Sequence, residues 1–585
     1  MNLPFESSGR LLPVLAEPSV GDDRVRAIER SALWAAYGDA LGWISELTGA
    51  RGLRQRTGGV ELEVPIPWKR RIGGRSGVAI DLPAGTYSDD SQLRLATGRA
   101  IRAQGFDVEA FAKIELPTWL GYALGAGRST KAAAQNLAKP RVPWYGNTYR
   151  GWIQAGGNGA AMRVQPHVWA AHDLSDHRTF LPDVVRNAIC THSHPTGIMG
   201  AVLHALVLAL AMTARRLPSA EDVLHSLEVS EEVPDLVAAE PTGTGMWRHA
   251  YEHHAGSFEK AWSREVEHAR SNVVAASQAG LGTTGKERYD AIVGQLGLRD
   301  PRRRGSGTLT AIAAAGLLWC EPDPAKALSV AANCLDTDTD TIGTMAGALV
   351  GVVSDSEPPR GVQDSSLFHL EAERLGRIAR GERPTGHPYP DLDHWSAPRV
   401  AADVLSQDED GRCYMGGLGR VELQAEPKFT ADGRFAWQWG HTDNGQTLLL
   451  KRRQTIPIRS GQLPQPTVND GPKTAESVAS ETAGVVQEHS GGHNAHAVQR
   501  DSSLSLRRSI SSDPPLPDLH RAIEWVRQNR QDDATLGRAM RSMVRRGSTE
   551  QILRFVAALV RMIGPGSASQ GRRDPDRDRR HSGRA

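Results

Sequence analysis

Residues 336–353 read DTDTDTIGTMAGALVGVV, and this stretch carries the strongest signal in the chain. Its three aspartates alternate with threonines and run directly into an apolar segment rich in Gly and Ala, which anchors the turn. Aspartates at every second position of an extended turn would point to one side, where their mutual repulsion requires a neutralising cation. The glycine and the closing glutamate of an EF-hand loop are missing. The stretch therefore predicts a cation site of another kind at the start of an apolar helix.

Two further acidic segments lie near the N-terminus. Residues 86–93 read TYSDDSQL before a helical stretch, where Ser and Asp are favoured N-caps. Adjacent carboxylates flanked by hydroxyls are equally the oxygen ligands that Mg²⁺ prefers. Residues 38–46 read GDALGWISE and end a helix at a carboxylate. Capping by Asp39 and simple exposure of Glu46 are the structural interpretations there, and a shared acidic site is the functional one.

Two more segments carry residues suited to ligand binding. Residues 156–163 read GGNGAAMR, and glycines let backbone N–H groups approach an anion closely at the start of a helix. The Lys-Ser/Thr of a P-loop is missing, which excludes an ATPase of that class. Thr191, His192 and His194 also precede a helix. Because no Cys or third His stands at zinc-finger spacing, capping or lining a substrate pocket is favoured for these histidines.

The composition is that of a globular protein. Hydrophobic residues make up 39% and charged residues 23% of the 585 residues, which excludes a wholly disordered chain. The net charge of +2 gives no global field for a polyanionic partner. Four cysteines without C-x-x-C spacing fit reduced thiols, and no signal peptide is visible, so a cytoplasmic location is expected. The longest apolar run, near residues 201–212, is shorter than the roughly 20 residues of a membrane span, so no membrane partner is expected.

Helical periodicity covers most of the first 390 residues and predicts a compact all-α domain over residues 25–390. Abundant Gly and Ala permit close packing of its helices. The clearest helical stretches are residues 25–41, 91–104, 200–216, 257–278, 308–318 and 341–353. The basic run Trp68 to Arg71, with Arg75, is interpreted as a solvated loop, with a basic lip near the early acidic motif as the alternative.

Residues 397–459 change from helical to strand period. Three short apolar-rich segments are separated by the turn pairs Asp432-Gly433 and Asn444-Gly445, which are typical of hairpins. The pattern predicts a small β-meander appendage.

The C-terminal quarter changes character again. Residues 460–515 are rich in Ser, Gly and Pro and predict a disordered, flexible linker. Residues 516–564 regain helical spacing and predict a short helical module, a candidate for binding a protein partner. Residues 565–585 are predicted to be a disordered Arg-rich tail.

Taken together and in this order, the five segments resemble the ADP-ribosylglycohydrolase family, which includes dinitrogenase-reductase-activating glycohydrolases and ADP-ribosyl-acceptor hydrolases. The resemblance covers about residues 25–385. It implies an all-α fold with a dinuclear Mg²⁺ centre in a cleft, and hydrolysis of the bond between the anomeric carbon of ADP-ribose and an acceptor. Ser88 stands where the family usually has Thr, and Cys334 to Asp336 replace a usually Gly-rich approach.

The resemblance also implies roles for individual residues. The implied metal ligands are Ser88, Asp89, Asp90, Asp338, Asp340 and Thr341. Proton transfer is implied for Glu46 and Asp89. The implied substrate-binding residues are Gly157, Asn158, Gly159, Ala160 and His192. Two metal ions can polarise ribose hydroxyls and lower the pKa of a bound water, which suits cleavage through an oxocarbenium-like state.

The expected function is therefore a Mg²⁺-dependent hydrolase that releases ADP-ribose from a modified protein, nucleic acid or small molecule. A non-catalytic module that binds ADP-ribose or a nucleotide on the same fold is the main alternative. A metal-dependent phosphohydrolase is a third interpretation, because two-metal sites also suit phosphoryl transfer.

Overall fold

The computed structural model describes residues 22–59, 61–74, 77–458 and 555–556. The chain divides into two structural units, and all but the last two of these residues lie in the first, Met1–Gly471. The predicted linker (460–515) and tail (565–585) lie outside the described residues, as does the helical module (516–564) except for residues 555–556.

In the described part of the chain the α-helices are α1 Asp22–Gly42, α2 Ala50–Thr57, α3 Asp89–Ala100, α4 Val108–Ala110, α5 Leu116–Trp119, α6 Arg128–Leu137, α7 Gln165–Ala170, α8 Leu181–Ile189, α9 Pro195–Ala214, α10 Ala220–Val229, α11 Val233–Ala238, α12 Thr244–Ala255, α13 Phe258–Gln278, α14 Gly285–Leu296, α15 Gly307–Cys320, α16 Pro324–Ala332, α17 Thr339–Val353 and α18 Ser365–Ala379. The β-strands there are β1 Trp68–Ile72, β2 Val78–Leu82, β3 Ile101–Arg102, β4 Gly105–Phe106, β5 Leu405–Gln407, β6 Cys413–Met415, β7 Gly419–Phe429, β8 Phe435–Thr442 and β9 Thr447–Arg453. The predicted mainly helical architecture with a small β-meander is confirmed.

Helices α1 and α17 pack with their backbones in direct contact. Glycines make this possible: a Cβ on Gly343 would lie 2.5 Å from the carbonyl oxygen of Gly38. A Cβ on Gly347 would lie 2.2 Å from the carbonyl oxygen of Trp34. Because protein interiors are close-packed, any side chain at these positions would push the helices apart. The crossing places the C-terminal end of α1 beside the N-terminal end of α17, where the acidic segments lie.

Helix α9 is the longest apolar element of the core, and it corrects the expectation about apolar runs. It spans 20 residues and is long and apolar enough, by length and composition alone, to cross a membrane. In its most apolar window, 89% of the residues are buried inside the protein. The apolar run at residues 201–212 is shorter than the helix because the helix begins six residues earlier, at Pro195. There the His194 side chain accepts a hydrogen bond from the Thr196 amide.

Helix α3 is shorter than predicted. The helical pattern was extended to Gln104, but the helix ends at Ala100. Strand β3 follows at once and pairs with β4, because Gly105 at a φ of +114° allows the chain to reverse there.

The basic run Trp68 to Arg71 is a β-strand, which corrects its interpretation as a solvated loop. Strand β1 pairs antiparallel with β2. Trp68 and Ile72 at its two ends are buried, and the charged residues stand between them. The prediction failed because three consecutive cations indicated a solvated loop, although Trp68 and Ile72 on either side of them are buried. Arg75 lies outside the described residues.

Strands β5 to β9 form one antiparallel sheet in sequential order, as expected for a meander. The two turn glycines, Gly433 and Gly445, have φ of +66° and +91°, a left-handed conformation that glycine adopts without strain. Buried side chains of the sheet and of its β6–β7 turn belong to the same hydrophobic core as the helices; they include Leu405, Met415, Leu418, Val421, Leu448, Leu449 and Leu450. Helices and sheet therefore share one core.

A buried polar network ties the sheet to the helices. Arg99 of α3 donates two hydrogen bonds of 2.8 Å to the Glu115 carboxylate and one of 2.8 Å to Gln446 Oε1. The Tyr389 hydroxyl donates to the same carboxylate at 2.5 Å. Gln446 in turn donates through Nε2 to the hydroxyl of Tyr87, in the early acidic segment, at 3.4 Å. The buried charges are thus paired and hydrogen-bonded, which offsets their desolvation.

We expect Gly347→Ala to destabilise the protein, because its methyl group would separate α1 from α17. Overpacking of this kind costs about 1–3 kcal/mol. Gly294→Ala in α14 is the control: nothing lies within 4 Å of its Cβ position. That alanine should stabilise the fold by about 0.4–1 kcal/mol through the unfolded chain. Urea unfolding measures both free energies, and equal effects of the two substitutions would contradict the close packing.

Candidate metal centre

Three carboxylates from distant parts of the chain meet where α1 and α17 cross. One carboxylate oxygen each of Glu46, Asp338 and Asp340 lies within 4.8 Å of the other two. Glu46 stands in the turn after α1, Asp338 is the N-cap residue of α17, and Asp340 lies in its first turn. Glu46 is therefore not simply exposed: its side chain is 14% accessible. Oxygen atoms at this spacing suit a hard divalent cation.

Ser88, Asp89 and Asp90 form the N-terminus of α3, and Asp39 holds that terminus in place. The two Asp39 carboxylate oxygens accept hydrogen bonds from the backbone amides of Ser88 at 3.0 Å and Ser91 at 2.9 Å. Asp39 is fully buried in α1. Ser88 also caps the helix, since its Oγ accepts from the Asp90 amide at 3.2 Å. The capping interpretation is thus confirmed for Ser88.

Asp89 is fixed from its other side by a glycine turn. Its Oδ1 accepts a hydrogen bond of 2.8 Å from the Ala126 amide. The preceding Gly125 has a φ of +125°, and a Cβ there would lie 2.2 Å from Asp89 Oδ1. Glycine is required at 125 both for this conformation and for this close approach. Nothing in the spacing of the acidic motifs pointed to this residue.

The centre concentrates negative charge away from water. Burial, followed by the charge of Glu46, raises the pKa of Asp89 to about 7. Burial, followed by the charges of Asp39 and Asp89, raises the pKa of Asp90 well above its usual value. Burial is also the main cause that raises the pKa values of Asp338 and Asp340, with Glu46 as a further cause. These shifts are those of carboxylates packed without enough counter-charge.

The residues present fit a bound cation. Asp90 Oδ2 is buried and has no hydrogen-bond partner among the described residues. The buried Arg94 guanidinium stands behind the centre, where its charge acts on Asp39 and Asp90, and it donates to Ser91 Oγ at 2.8 Å. Arg70 pairs with Glu46, but among the described residues no cation forms an ion pair with Asp89, Asp90, Asp338 or Asp340. A divalent cation would supply both the missing charge and the missing partner of Asp90.

The glycine-rich loop reaches the centre through one amide side chain. Asn158 Nδ2 donates to Asp338 Oδ2 at 2.9 Å and to Thr310 Oγ1 at 3.2 Å. Gly157 pairs with Ser306 just before α15. Of the predicted substrate-binding residues, Asn158 is the one that contacts an acidic side chain.

Buried side chains hold this loop from behind. A Cβ on Gly159 would lie 2.6 Å from Thr130 Oγ1 and 3.1 Å from the His192 ring. Ala160 is fully buried. Arg163 is also fully buried and donates to the Gly159 carbonyl at 2.7 Å and to Thr191 Oγ1 at 2.8 Å. The sequence motif contained Arg163, but its bracing role is visible only in three dimensions.

The two histidines have different positions. His192 is 2% exposed, and burial lowers its pKa to about 3, so the ring is neutral at physiological pH. Its Nδ1 lies 2.8 Å from Thr191 Oγ1. His194 caps α9, as the capping interpretation predicts. His192 therefore supports the glycine loop from below.

The late acidic motif differs from its prediction at Asp336. Asp336 is exposed, with a φ of +66°, so the three aspartates do not point to one side. The chain turns at Asp336, and only Asp338 and Asp340 face the centre. Thr341 is 3% exposed and donates its backbone amide to Asp340 Oδ1 at 2.9 Å.

A family model for ADP-ribosylglycohydrolases matches residues 22–358, more than half of the 585-residue chain. The matched span contains all of the predicted site residues.

Two individual proteins are also similar. The ADP-ribosyl-[dinitrogen reductase] glycohydrolase of Rhodospirillum rubrum is 30% identical over 209 residues, which cover 34% of this chain. The chain spans 63% of that relative's length. A solved structure described as an ADP-ribosylglycohydrolase-related protein complex aligns with a TM-score of 0.39 and 21% identity, over 61% of this chain and 99% of the other.

We expect Asp90→Asn to stabilise the metal-free protein increasingly as the pH rises. The raised pKa means that Asp90 contributes stability when protonated and loses it as the pH rises from its unfolded value, near 4, toward its folded one. The gain should grow by up to about 1.4 kcal/mol per pH unit between pH 6 and 8. Urea unfolding in EDTA at both pH values measures it.

Comparison with wild type cancels the contributions of buried histidines, whose pKa in the unfolded chain, about 6.5, lies in the same pH range. Asp300→Asn is the control, because Asp300 is partly exposed and the neighbouring Arg302 amide and guanidinium lower the pKa of its carboxyl. Its effect should not change between pH 6 and 8. A gain for Asp90→Asn that is independent of pH would contradict the charge argument.

Proposed function

Because the chain belongs to the ADP-ribosylglycohydrolase family, we propose that it hydrolyses the glycosidic bond between ADP-ribose and an acceptor, using two Mg²⁺ ions. The observation that carries the proposal is the convergence of Glu46, Asp338 and Asp340 beside the buried, unpartnered oxygen of Asp90. The similarity to a dinitrogen reductase glycohydrolase supports the reaction class. A cytoplasmic location belongs to the same proposal.

The proposed ligand set is the one that the family resemblance implies. Ser88, Asp89 and Asp90 offer oxygens from α3, and Asp338, Asp340 and Thr341 offer them from α17. Both sets stand at helix N-termini, whose dipoles favour ionised carboxylates. Bound Mg²⁺ would polarise a ribose hydroxyl and lower the pKa of a water molecule.

The chain's own residues account for the remaining chemistry. Water forms a bond to the anomeric carbon as the bond to the acceptor breaks, and the acceptor leaves with a proton. The carboxylates stabilise the positive charge that develops on the sugar. Glu46, whose carboxylate accepts a hydrogen bond from Arg70 at 2.9 Å, is the proposed acceptor of the water proton. Asp89, with its Oδ1 bound by a backbone amide, is the second candidate for this role.

The glycine loop is proposed to bind the ADP-ribose moiety. Gly157, Gly159 and Ala160 carry no bulky side chains, and their neighbour Asn158 bridges the loop to Asp338. Backbone amides at such a loop suit a diphosphate or a distal ribose. The acceptor is proposed to be part of a protein, a nucleic acid or a small molecule.

We expect purified protein to release ADP-ribose from at least one member of a panel of ADP-ribosylated Arg, Ser and nucleic-acid substrates, with Mg²⁺ and not with EDTA. Asp338→Asn with Asp340→Asn should lower the rate at least about a thousandfold, because the cation would lose its α17 ligands. Chromatography of the released nucleotide measures the rate.

Asp336→Asn is the matched control, because this aspartate of the same motif is exposed and turned away. Its rate should equal that of wild type. Release of AMP or phosphate would favour a phosphohydrolase. Binding of ADP-ribose without release from any substrate would favour the non-catalytic module.

A further inference from the structure

One cation contacts the acidic centre directly, and nothing in the family match or the relatives assigns it a role. Arg70, in the middle of β1, donates through Nη1 to Glu46 Oε2 at 2.9 Å. The two side chains are 24% and 14% accessible, so water screens this ion pair only in part. Among the described residues this is the one ion pair made by the carboxylates of the centre.

Two tryptophans hold the Arg70 guanidinium in place. Its Cζ lies 5.1 Å from the ring centroid of Trp43 and 5.8 Å from that of Trp68. The two rings meet edge to face, with centroids 5.0 Å apart, and both are buried. A guanidinium stacked on aromatic rings gains from cation–π attraction and keeps its planar fork oriented.

A second arginine fixes the turn that carries Glu46. Arg56 Nη1 donates to the carbonyl oxygens of Ile44 at 2.9 Å and Glu46 at 3.2 Å. Its Cζ also lies 5.6 Å from the Trp68 ring. The backbone of the turn is thus held by Arg56, and the carboxylate is held by Arg70.

The β1–β2 hairpin that presents Arg70 is anchored on its outer side by the sheet. Lys428 of β7 pairs with Asp81 of β2 at 3.0 Å. Gly73 lies against the indole of Trp437, where a Cβ would come within 3.1 Å of Nε1. The hairpin therefore lies between the sheet and the Glu46 turn. The sheet is connected to the acidic centre through the hairpin and Arg70.

We propose that Arg70 is a positioning residue that holds the Glu46 carboxylate beside Asp338 and Asp340 and keeps it a hydrogen-bonding group instead of a metal ligand. Two positive charges, a cation at the centre and Arg70, would compete for Glu46 Oε2. A cation at the centre attracts it, whereas Arg70 binds it in a fixed direction. A glutamate held in this way can accept a proton from water, which a glutamate bound to the cation cannot do as readily. The kinetic part of this inference rests on the proposed function.

The test compares wild type with Arg70→Ala, Arg70→Lys and Arg71→Ala in the full chain. Arg71 is the matched control: it lies on the same strand, but its guanidinium donates to the Gly77 carbonyl, away from the centre. We expect Arg70→Ala to bind Mn²⁺ at least about threefold more tightly in a spin-resonance titration, because a nearby positive charge is lost and Glu46 is freed. Arg71→Ala should bind Mn²⁺ as wild type does.

A double-mutant cycle shows whether the effect passes through Glu46. In a Glu46→Gln background, Arg70→Ala should raise Mn²⁺ affinity by less than half of its effect in wild type. An equal effect in both backgrounds would mean that Arg70 acts only as a distant charge and would overturn the proposal.

The kinetic readout separates positioning from substrate binding. Arg70→Ala should lower kcat about tenfold while KM changes less than twofold. Arg70→Lys retains the charge but not the stacked guanidinium, so its kcat should lie between those of wild type and Arg70→Ala. Equal kcat in Arg70→Ala and Arg71→Ala would also overturn the proposal.

The two arms keep this inference distinct from the proposed function. If wild type releases no ADP-ribose, the proposed function fails, and the Mn²⁺ cycle still decides the role of Arg70. If Arg70→Ala does not fold, as judged by circular dichroism, Arg70→Lys carries both readouts, with a smaller rise in Mn²⁺ affinity and an intermediate kcat as the expected results.

Discussion

The backbone contact between α1 and α17 is the constraint on which the rest of the structure depends. Glycines on both helices let their backbones touch without intervening side chains. The contact is fixed further where Thr339 Oγ1 donates to the Gly42 carbonyl at 2.7 Å. Glu46, in the turn after α1, and Asp340, in the first turn of α17, can share one centre only because α1 and α17 touch. A crossing wider by one methyl group would separate the acidic oxygens and leave the centre incomplete.

The acidic centre works against the stability of the fold that surrounds it. Its carboxylates are buried or half-buried, and burial together with their mutual repulsion raises the pKa values of Asp89, Asp90 and Asp340. Backbone amides at the start of α3, the Asn158 amide and the Arg94 charge each offset part of the negative charge. The negative charge that remains fits an added cation.

Much of this arrangement could be predicted from the sequence, and the failures have physical reasons. The Gly/Ala-rich helices and the hairpin turn glycines are local signals, so helices and meander were recognised, and the family resemblance brought the acidic segments to one place. Partners that depend on long-range contact were invisible, among them Gly125, Arg94 and Arg70. The run around Arg70 was misread because three cations outweighed the buried Trp68 and Ile72. Asp336 was misplaced because a single left-handed residue breaks an alternating pattern.

The network around Arg99 has a consequence for how the chain is made. Arg99 and Gln446 are 347 positions apart, and at about 5–20 residues per second that separation is roughly 20–70 s of synthesis. During this interval the nascent α3, which begins with the Ser88 to Asp90 motif, lacks the partner that links it to Tyr87. The same delay applies to α1, whose glycine face waits for α17. The N-terminal half therefore emerges from the ribosome before these contacts can form, and the β8–β9 turn supplies the last partner of a segment made near the beginning.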